Sequence, residues 1–264
     1  MKLGIIGFGN MAEAILGGIL NAGFVSKEDV TASGKDEAML QKASEKYGIH
    51  VEADNKKVVA DADVVLLSVK PQILADVISE IKDVCTADKL IISIAAGKSL
   101  QFLEENFGSA RKIVRCMPNT PALVGEGSTG ICFSDGVSAN EKEYALNLFS
   151  CVGKAQEVPE KLMDVVVGVS GSSPAYVFMF IEAMADAAVE MGMPRAQAYT
   201  FAAQAVMGSA KLLLETGKHP GELKDMVCSP GGTTIAAVRV LEEKGMRAAV
   251  MDAVIKCTER SKEL

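Results

Sequence analysis

Residues 2–6, Lys-Leu-Gly-Ile-Ile, form a short apolar run that passes without a spacer into Gly7-Phe8-Gly9-Asn10-Met11-Ala12 and then into an amphipathic stretch at 13–22. A strand, a glycine turn and a helix in that order leave few folds open: this is the opening step of a doubly wound, dinucleotide-binding sheet. Gly7 makes the tight turn, Gly9 lets the backbone approach a pyrophosphate, and Ala12 permits close packing of helix on strand. The bare N–H groups at the start of the helix favour an anion. A tight βα turn without a ligand uses the same residue types, and what favours the ligand is the clean strand directly before the motif.

Further short apolar runs at 30–33, 64–68, 90–94, 112–117, 128–133 and 155–158 alternate with amphipathic segments, and a strand is also read at Val51. Continuous apolar strands separated by helices predict a largely parallel sheet covered on both faces, with the last two strands pairing differently at one edge. After Pro159 the strand pattern stops and Ala- and Met-rich helical segments take over at 173–191, 195–216, 234–243 and 247–263. The expected fold class is therefore α/β: a Rossmann-like sheet domain over residues 1–160 and an all-α domain over 161–264. In the segment after Pro174, Glu182, Asp186 and Glu190 make one acidic stripe while apolar residues cover the rest of the circumference. A helix so apolar wants burial on several sides, which predicts a homo-oligomer built through this half, a dimer or an assembly of dimers.

The net charge of −7 argues against a nucleic-acid partner, which calls for clustered Lys and Arg. The six cysteines are scattered without a C-x-x-C pair and are joined by only two histidines, so neither a metal site nor a disulfide framework is expected. The apolar N-terminal run is too short for a signal peptide, and no uncharged run reaches the ~18–20 residues of a membrane span. These observations point to a cytoplasmic protein acting on a small molecule.

Cofactor choice is read at the end of the second strand, Ala32-Ser33-Gly34-Lys35-Asp36. No carboxylate stands at the strand tip to hold a ribose 2′-hydroxyl; Ser33 with Lys35 forms a seat for a 2′-phosphate, and Asp36 opens the next helix as a cap, so NADPH is favoured over NADH. Asn55 is a further cofactor candidate or a plain helix cap. Ser68-Val69-Lys70-Pro71 and Ala95-Ala96-Gly97 end later strands on the same carboxyl edge, where open α/β sheets bind ligands. A second anion site is readable far away, at Ser229-Pro230-Gly231-Gly232-Thr233-Thr234, immediately before a helical run.

Five blocks carry a resemblance: the Gly7–Ala12 turn, Ser68-Val69-Lys70-Pro71, the R-C-M-P-N-T-P of Arg115 to Pro121, the S-G-S-S-P-A-Y of Ser170 to Tyr176, and the H-P-G-E-L-K-D-M-V-C-S-P-G-G-T-T of His219 to Thr234. Together they resemble pyrroline-5-carboxylate reductase over almost the whole length. The resemblance implies reduction of L-1-pyrroline-5-carboxylate to L-proline with NAD(P)H, the last step of proline biosynthesis, by a Rossmann domain and a helical domain that interleaves with a partner subunit. It implies substrate contacts at Ser229, Gly231, Gly232, Thr233 and Thr234, with Thr234 the catalytic candidate that orients a proton toward the imine nitrogen. Ser173 stands where the family usually has glycine, and the turn around Gly217 varies among relatives, so no contact is carried over there. Two other readings stay open. A β-hydroxyacid-type dehydrogenase would need a catalytic lysine, for which Lys211 and Lys224 are available; a non-enzymatic NADPH sensor would need no second anion site.

Overall fold

The structure, a computed structural model, describes residues 1–108 and 111–263. Eight strands form one sheet: β1 (Leu3–Ile6), β2 (Val30–Ser33), β3 (His50–Val51), β4 (Val64–Leu67), β5 (Leu90–Ser93), β6 (Lys112–Met117), β7 (Gly127–Phe133) and β8 (Gly153–Glu157), in the order β3-β2-β1-β4-β5-β6-β7-β8. From β3 to β6 every pairing is parallel; β7 runs antiparallel to β6, and β8 then pairs parallel with β7. The expected change of direction at one edge is present, with both final strands reversed against the other six.

The pleat of these short strands sends alternate residues to opposite faces, and both faces are covered. On one side Leu3, Ile5, Leu66 and Ile92 pack with residues of α1 (Asn10–Asn21), α2 (Glu37–Tyr47) and α6 (Ala139–Ser150). On the other, Ile6, Val65, Leu67 and Ile91 pack with α3 (Asn55–Asp61), α4 (Leu74–Ile81) and α5 (Leu100–Phe107). Each Leu or Ile buried in this way stabilises the fold by about 1.5–3 kcal/mol. The sequence of strands reverses direction across β1 and β4, and the registers Ile6↔Ser33, Ile6↔Leu67 and Leu67↔Ser93 bring the carboxyl ends of β1, β2, β4 and β5 level. That edge is where an open sheet of this order binds ligands.

The chain divides into two compact units, Met1–Ser172 with the C-terminal stretch from Lys256, and Ser173–Ile255. The packing division thus falls some residues after the change of sequence pattern near Pro159. Within the first unit, α7 (Met163–Val166) leads into a π-helical turn, Val167–Gly171. Ser261 Oγ donates to Asp164 Oδ1 at 2.7 Å and ties the C-terminal helix to this segment.

The second unit holds α8 (Ser173–Glu190), α9 (Arg195–Thr216), α10 (Pro220–Met226), α11 (Thr233–Glu243) and the first part of α12 (Met246–Ser261). Helices α8 and α9 pack on each other through small residues, with only Ala185, Ala198 and Ala202 buried, and Arg195 pairs with Asp186 of the acidic stripe. Small side chains bring the two backbones close, but the large ones point elsewhere. Phe178, Met179, Phe201 and Leu214 are each 64 % exposed or more. Glu160–Glu190 is one helical stretch whose length and composition alone, charges tolerated, would suit a membrane span.

Candidate active site

Gly7 adopts φ +88°, and its N–H donates to Ser33 O at 2.9 Å. A Cβ there would lie 2.5 Å from Val69 Cγ1 and 3.0 Å from Val69 N, so the tips of β1 and β4 meet only because residue 7 has no side chain. Ser68 Oγ closes the same junction by donating to Gly7 O. Gly9 is different. It caps α1 in extended backbone (φ −117°, ψ −173°) with no side-chain cap, and a Cβ there would meet nothing within 4 Å. The open space above Gly9 and the uncapped N–H groups of Asn10, Met11 and Ala12 fit a pyrophosphate. Ala12 is buried against the sheet, as the motif requires.

Around this turn the structure gathers the other expected cofactor residues at one edge. Phe8 is buried beside Gly34. Lys70, exposed, caps a short 3₁₀ turn at Pro71–Ile73, and Val69 packs against Gly7. Ala95 is buried, Ala96 is half-buried, and Gly97 turns away at φ +72°.

Ser33 needs correction. It is fully buried, and its hydroxyl donates to Asn55 Oδ1 at 2.6 Å, while Asn55 Nδ2 donates to Glu80 Oε2 at 3.1 Å. The Ser33 hydroxyl is spent inside the protein and does not seat a phosphate beside Lys35, which is exposed. The alternative of Asn55 as a cap is corrected too: Asp54 caps α3 by accepting from Lys56 N, and Asn55 is the first helical residue, bridging Ser33 and Glu80. Asp36 caps α2 as expected, its Oδ1 accepting from Met39 N at 3.0 Å.

Beside the glycine turn lies a cavity of about 420 Å³ whose walls include Phe8, Glu13, Asp36, Met39, Lys42 and Lys46. Hydrogen bonds from Lys46, and from Tyr47 at 3.1 Å, hold the Glu13 carboxyl below its ordinary pKa. The spacing of Met39, Lys42 and Lys46 on one face of α2 was the available sequence signal for this wall.

In the second unit, Gly231 adopts φ +69° and Gly232 N donates to Ser229 O at 3.0 Å, closing a tight turn. A Cβ on Gly232 would lie 2.5 Å from Ser229 Oγ. Gly232 is the N-cap of α11, again with no side-chain cap, so Thr233 and Thr234 occupy the first helical positions. By contrast α2, α3, α5, α6 and α10 are closed by the side chains of Asp36, Asp54, Ser99, Ser138 and His219. A glycine cap leaves first-turn N–H groups open to an anion, which a side-chain cap would satisfy internally. An open groove of about 570 Å³ runs from Gly231 and Gly232 along Ile235, Ala236, Arg239 and Glu242.

Other titratable residues offer less. Lys211 pairs with Glu215 on its own helix and Lys224 with the adjacent Asp225, so neither stands as a free catalytic lysine. His219 Nδ1 accepts from Gly221 N at 3.1 Å as a cap, and His50 lies exposed in β3. Burial pushes the Cys85 thiol up to about 11 and Cys132 to about 12 and raises Cys116 well above the usual thiol range, so none is a ready nucleophile.

One contact set was not expected from the sequence. On β6 and its extension, Arg115, Met117 and Asn119 fall on one face by the period of a strand. Arg115 Nη1 pairs with Glu160 Oε1 at 3.0 Å. Met117 Cε lies 3.0 Å from where Gly171 would carry a Cβ, and Asn119 Nδ2 donates to Ser170 O at 2.9 Å. Arg115, Met117 and Asn119 thus form a clasp on residues 160–171.

Two family models match parts of the chain: pyrroline-5-carboxylate reductase dimerisation over residues 160–264, and NADP oxidoreductase, coenzyme F420-dependent, over residues 2–97. Among full-length relatives, the pyrroline-5-carboxylate reductase of Escherichia coli is 54 % identical over 263 residues, covering 100 % of this chain and 98 % of that protein. That of Methanosarcina acetivorans is 50 % identical, covering 100 % and 97 %. A crystal structure of Plasmodium falciparum pyrroline carboxylate reductase with NADP bound superposes with a TM-score of 0.90 at 35 % identity, covering 100 % of this chain and 97 % of that one.

Proposed function

The chain belongs to the pyrroline-5-carboxylate reductase family, and from that membership we propose how its two glycine-capped turns serve the reaction. It is an NAD(P)H-dependent oxidoreductase that reduces the C=N bond of L-1-pyrroline-5-carboxylate to give L-proline. The observation that carries the assignment of parts is the pair of glycine N-caps, Gly9 and Gly232, which leave two helix starts open to anions. One suits a pyrophosphate and the other a carboxylate.

In the first unit, the N–H groups of Gly9 to Ala12 hold the pyrophosphate, and Ser68 to Pro71 with Ala95 to Gly97 border the nicotinamide half. Asn55 and the buried Ser33 shape the edge near the adenosine. When bound, the dihydronicotinamide supplies the hydride. Asp36 is engaged as the cap of α2 and Lys35 stands exposed beside it, which favours NADPH over NADH.

In the second unit, the N–H groups of the Ser229 to Thr234 turn hold the substrate carboxylate. Gly231, Gly232 and Thr233 supply the close backbone, and the Thr234 hydroxyl hydrogen-bonds the imine nitrogen. A threonine hydroxyl is a weak acid, so it orients a proton and does not originate one. Holding carboxylate and nitrogen together fixes which face of the ring meets the hydride donor.

Functionally we divide the chain at residues 1–160 for the dinucleotide and 161–264 for substrate and partner. The exposed apolar side chains of α8 and α9 are assigned to a second copy of this chain and not to a bilayer, in keeping with the dimerisation family matched over 160–264. The protomers form a dimer or an assembly of dimers in the cytoplasm. The test is loss of nicotinamide absorbance on adding pyrroline-5-carboxylate, run beside a panel of hydroxy- and keto-acids. Turnover with the imine alone is expected; turnover with a hydroxy- or keto-acid in its place refutes the reading.

A further inference from the structure

Helix α7 widens into the π-helical turn Val167–Gly171, with Ser172 N donating to Val167 O at 2.8 Å, and α8 begins anew at Ser173. At the end of this turn Ser170 O accepts from Asn119 Nδ2 at 2.9 Å. The other end of the same amide is also committed, since Asn119 Oδ1 accepts from Ser128 N at 2.8 Å, and the residue is only 8 % exposed. Few side chains meet this demand: a donor and an acceptor at one fixed length, both buried.

We propose that Asn119 is a positioning residue for the reduction, locking the tip of β6 to the π-helical turn by donating to Ser170 O while accepting from Ser128 N. The inference rests on the proposed cofactor edge. The register Ser93↔Arg115 carries Met117 to the level of Ala95, so the tip of β6 flanks the strand end assigned to the nicotinamide half. Met117 packs on Gly171 of the same turn, and Asn119 supplies the polar half of the clasp. Where the clasp opens, Met117 and Pro118 lose their fixed backbone beside Ala95 to Gly97, while Gly7 to Ala12 keep theirs. The deficit therefore falls on turnover and spares binding through the pyrophosphate.

The deciding variant is Asn119→Asp, which keeps the acceptor for Ser128 N–H and lacks a donor to Ser170 O until it is protonated. A buried carboxyl facing a carbonyl holds its proton well above the ordinary Asp pKa of about 3.9, so the donor returns within an assayable range. The measurement is kcat and KM for NADPH and for the imine from about pH 6 to about pH 8.5, for wild type and variant in parallel. At the alkaline end kcat is expected to fall roughly tenfold, with KM for NADPH within about twofold of wild type. At the acid end the deficit shrinks at least threefold. A deficit independent of pH, or an alkaline kcat within about twofold of wild type, overturns the proposal. Wild type inactive with the imine would refute the enzymatic reading itself and the proposal with it. If Asn119→Asp does not fold, Asn119→Ala is measured in its place: a kcat roughly tenfold lower with KM for NADPH within about twofold of wild type supports the assignment, and a smaller fall in kcat or an equal rise in that KM overturns it.

Discussion

Two glycines of one turn make a discriminating pair. At Gly7 the backbone has φ +88°, and a Cβ would lie 2.5 Å from Val69 Cγ1, 3.0 Å from Val69 N and 3.1 Å from Ser68 C. Gly7→Ala therefore costs about 1–2 kcal/mol of left-handed backbone strain plus about 1–3 kcal/mol of overpacking. The sum of about 2–5 kcal/mol lowers Tm by roughly 4–20 °C in a chain of this size. At Gly9 the backbone is extended and a Cβ would meet nothing within 4 Å, so Gly9→Ala costs the free protein only the poorer N-cap, about 1 kcal/mol or less. Its methyl occupies the space assigned to the pyrophosphate, and losing a hydrogen bond or two to a charged group lowers NADPH affinity about 10- to 100-fold. Thermal melts of the ligand-free proteins and NADPH titration by fluorescence read the two effects separately. A Gly9→Ala protein that binds NADPH as wild type does would refute the pyrophosphate assignment. A Gly7→Ala protein with unchanged Tm would refute the packing argument.

Thr234→Ala is expected to lower kcat far more than it weakens NADPH binding; equal losses in both count against its assigned role. Gly232→Val displaces Ser229 Oγ from beneath the turn and should chiefly raise KM for the imine, and an unchanged KM would sink the carboxylate cradle. Lys35→Glu should move the NADPH to NADH preference ratio toward NADH, measured as the two kcat/KM values; a fixed ratio removes Lys35 from the 2′-phosphate corner. Hydrogen bonding to Lys46, then Tyr47, holds the Glu13 pKa low in the folded chain, so its ionised form is favoured by folding. That contribution is present above the ordinary Glu range and is lost as pH falls through the lower folded value. Glu13→Gln should therefore lower Tm at neutral pH, with the gap closing below about pH 4, and a gap that persists in acid contradicts the ion pair.

The local signals were strong where one segment carried all of its own evidence. Strand, glycine and helix follow one another at 3–21, so the turn chemistry of Gly7, Gly9 and Ala12 is written in consecutive residues. Ser229 to Thr234 is similarly self-contained, although α11 begins at Thr233, ahead of the first apolar residue at Ile235. Asp36 as a cap follows from its place before an amphipathic run. Other features left only a faint local trace. β3 has two exposed residues and too little pattern to delimit it, and α10 has only seven residues.

The sequence by itself determined the alternation of strands and helices, the change to helices after Pro159, and the two glycine turns, because hydrophobic period and turn chemistry act between neighbours in the chain. Only the tertiary structure decided how the polar side chains are spent. Ser33 looks outward as a letter in the sequence and is turned inward by Asn55, which the sheet order brings alongside. Asn119 is only one residue of the Arg115 to Pro121 block in the sequence until the fold sets it against Ser170 O. A buried donor must find its acceptor wherever the chain has carried it, and which one it finds depends on contacts between residues distant in sequence.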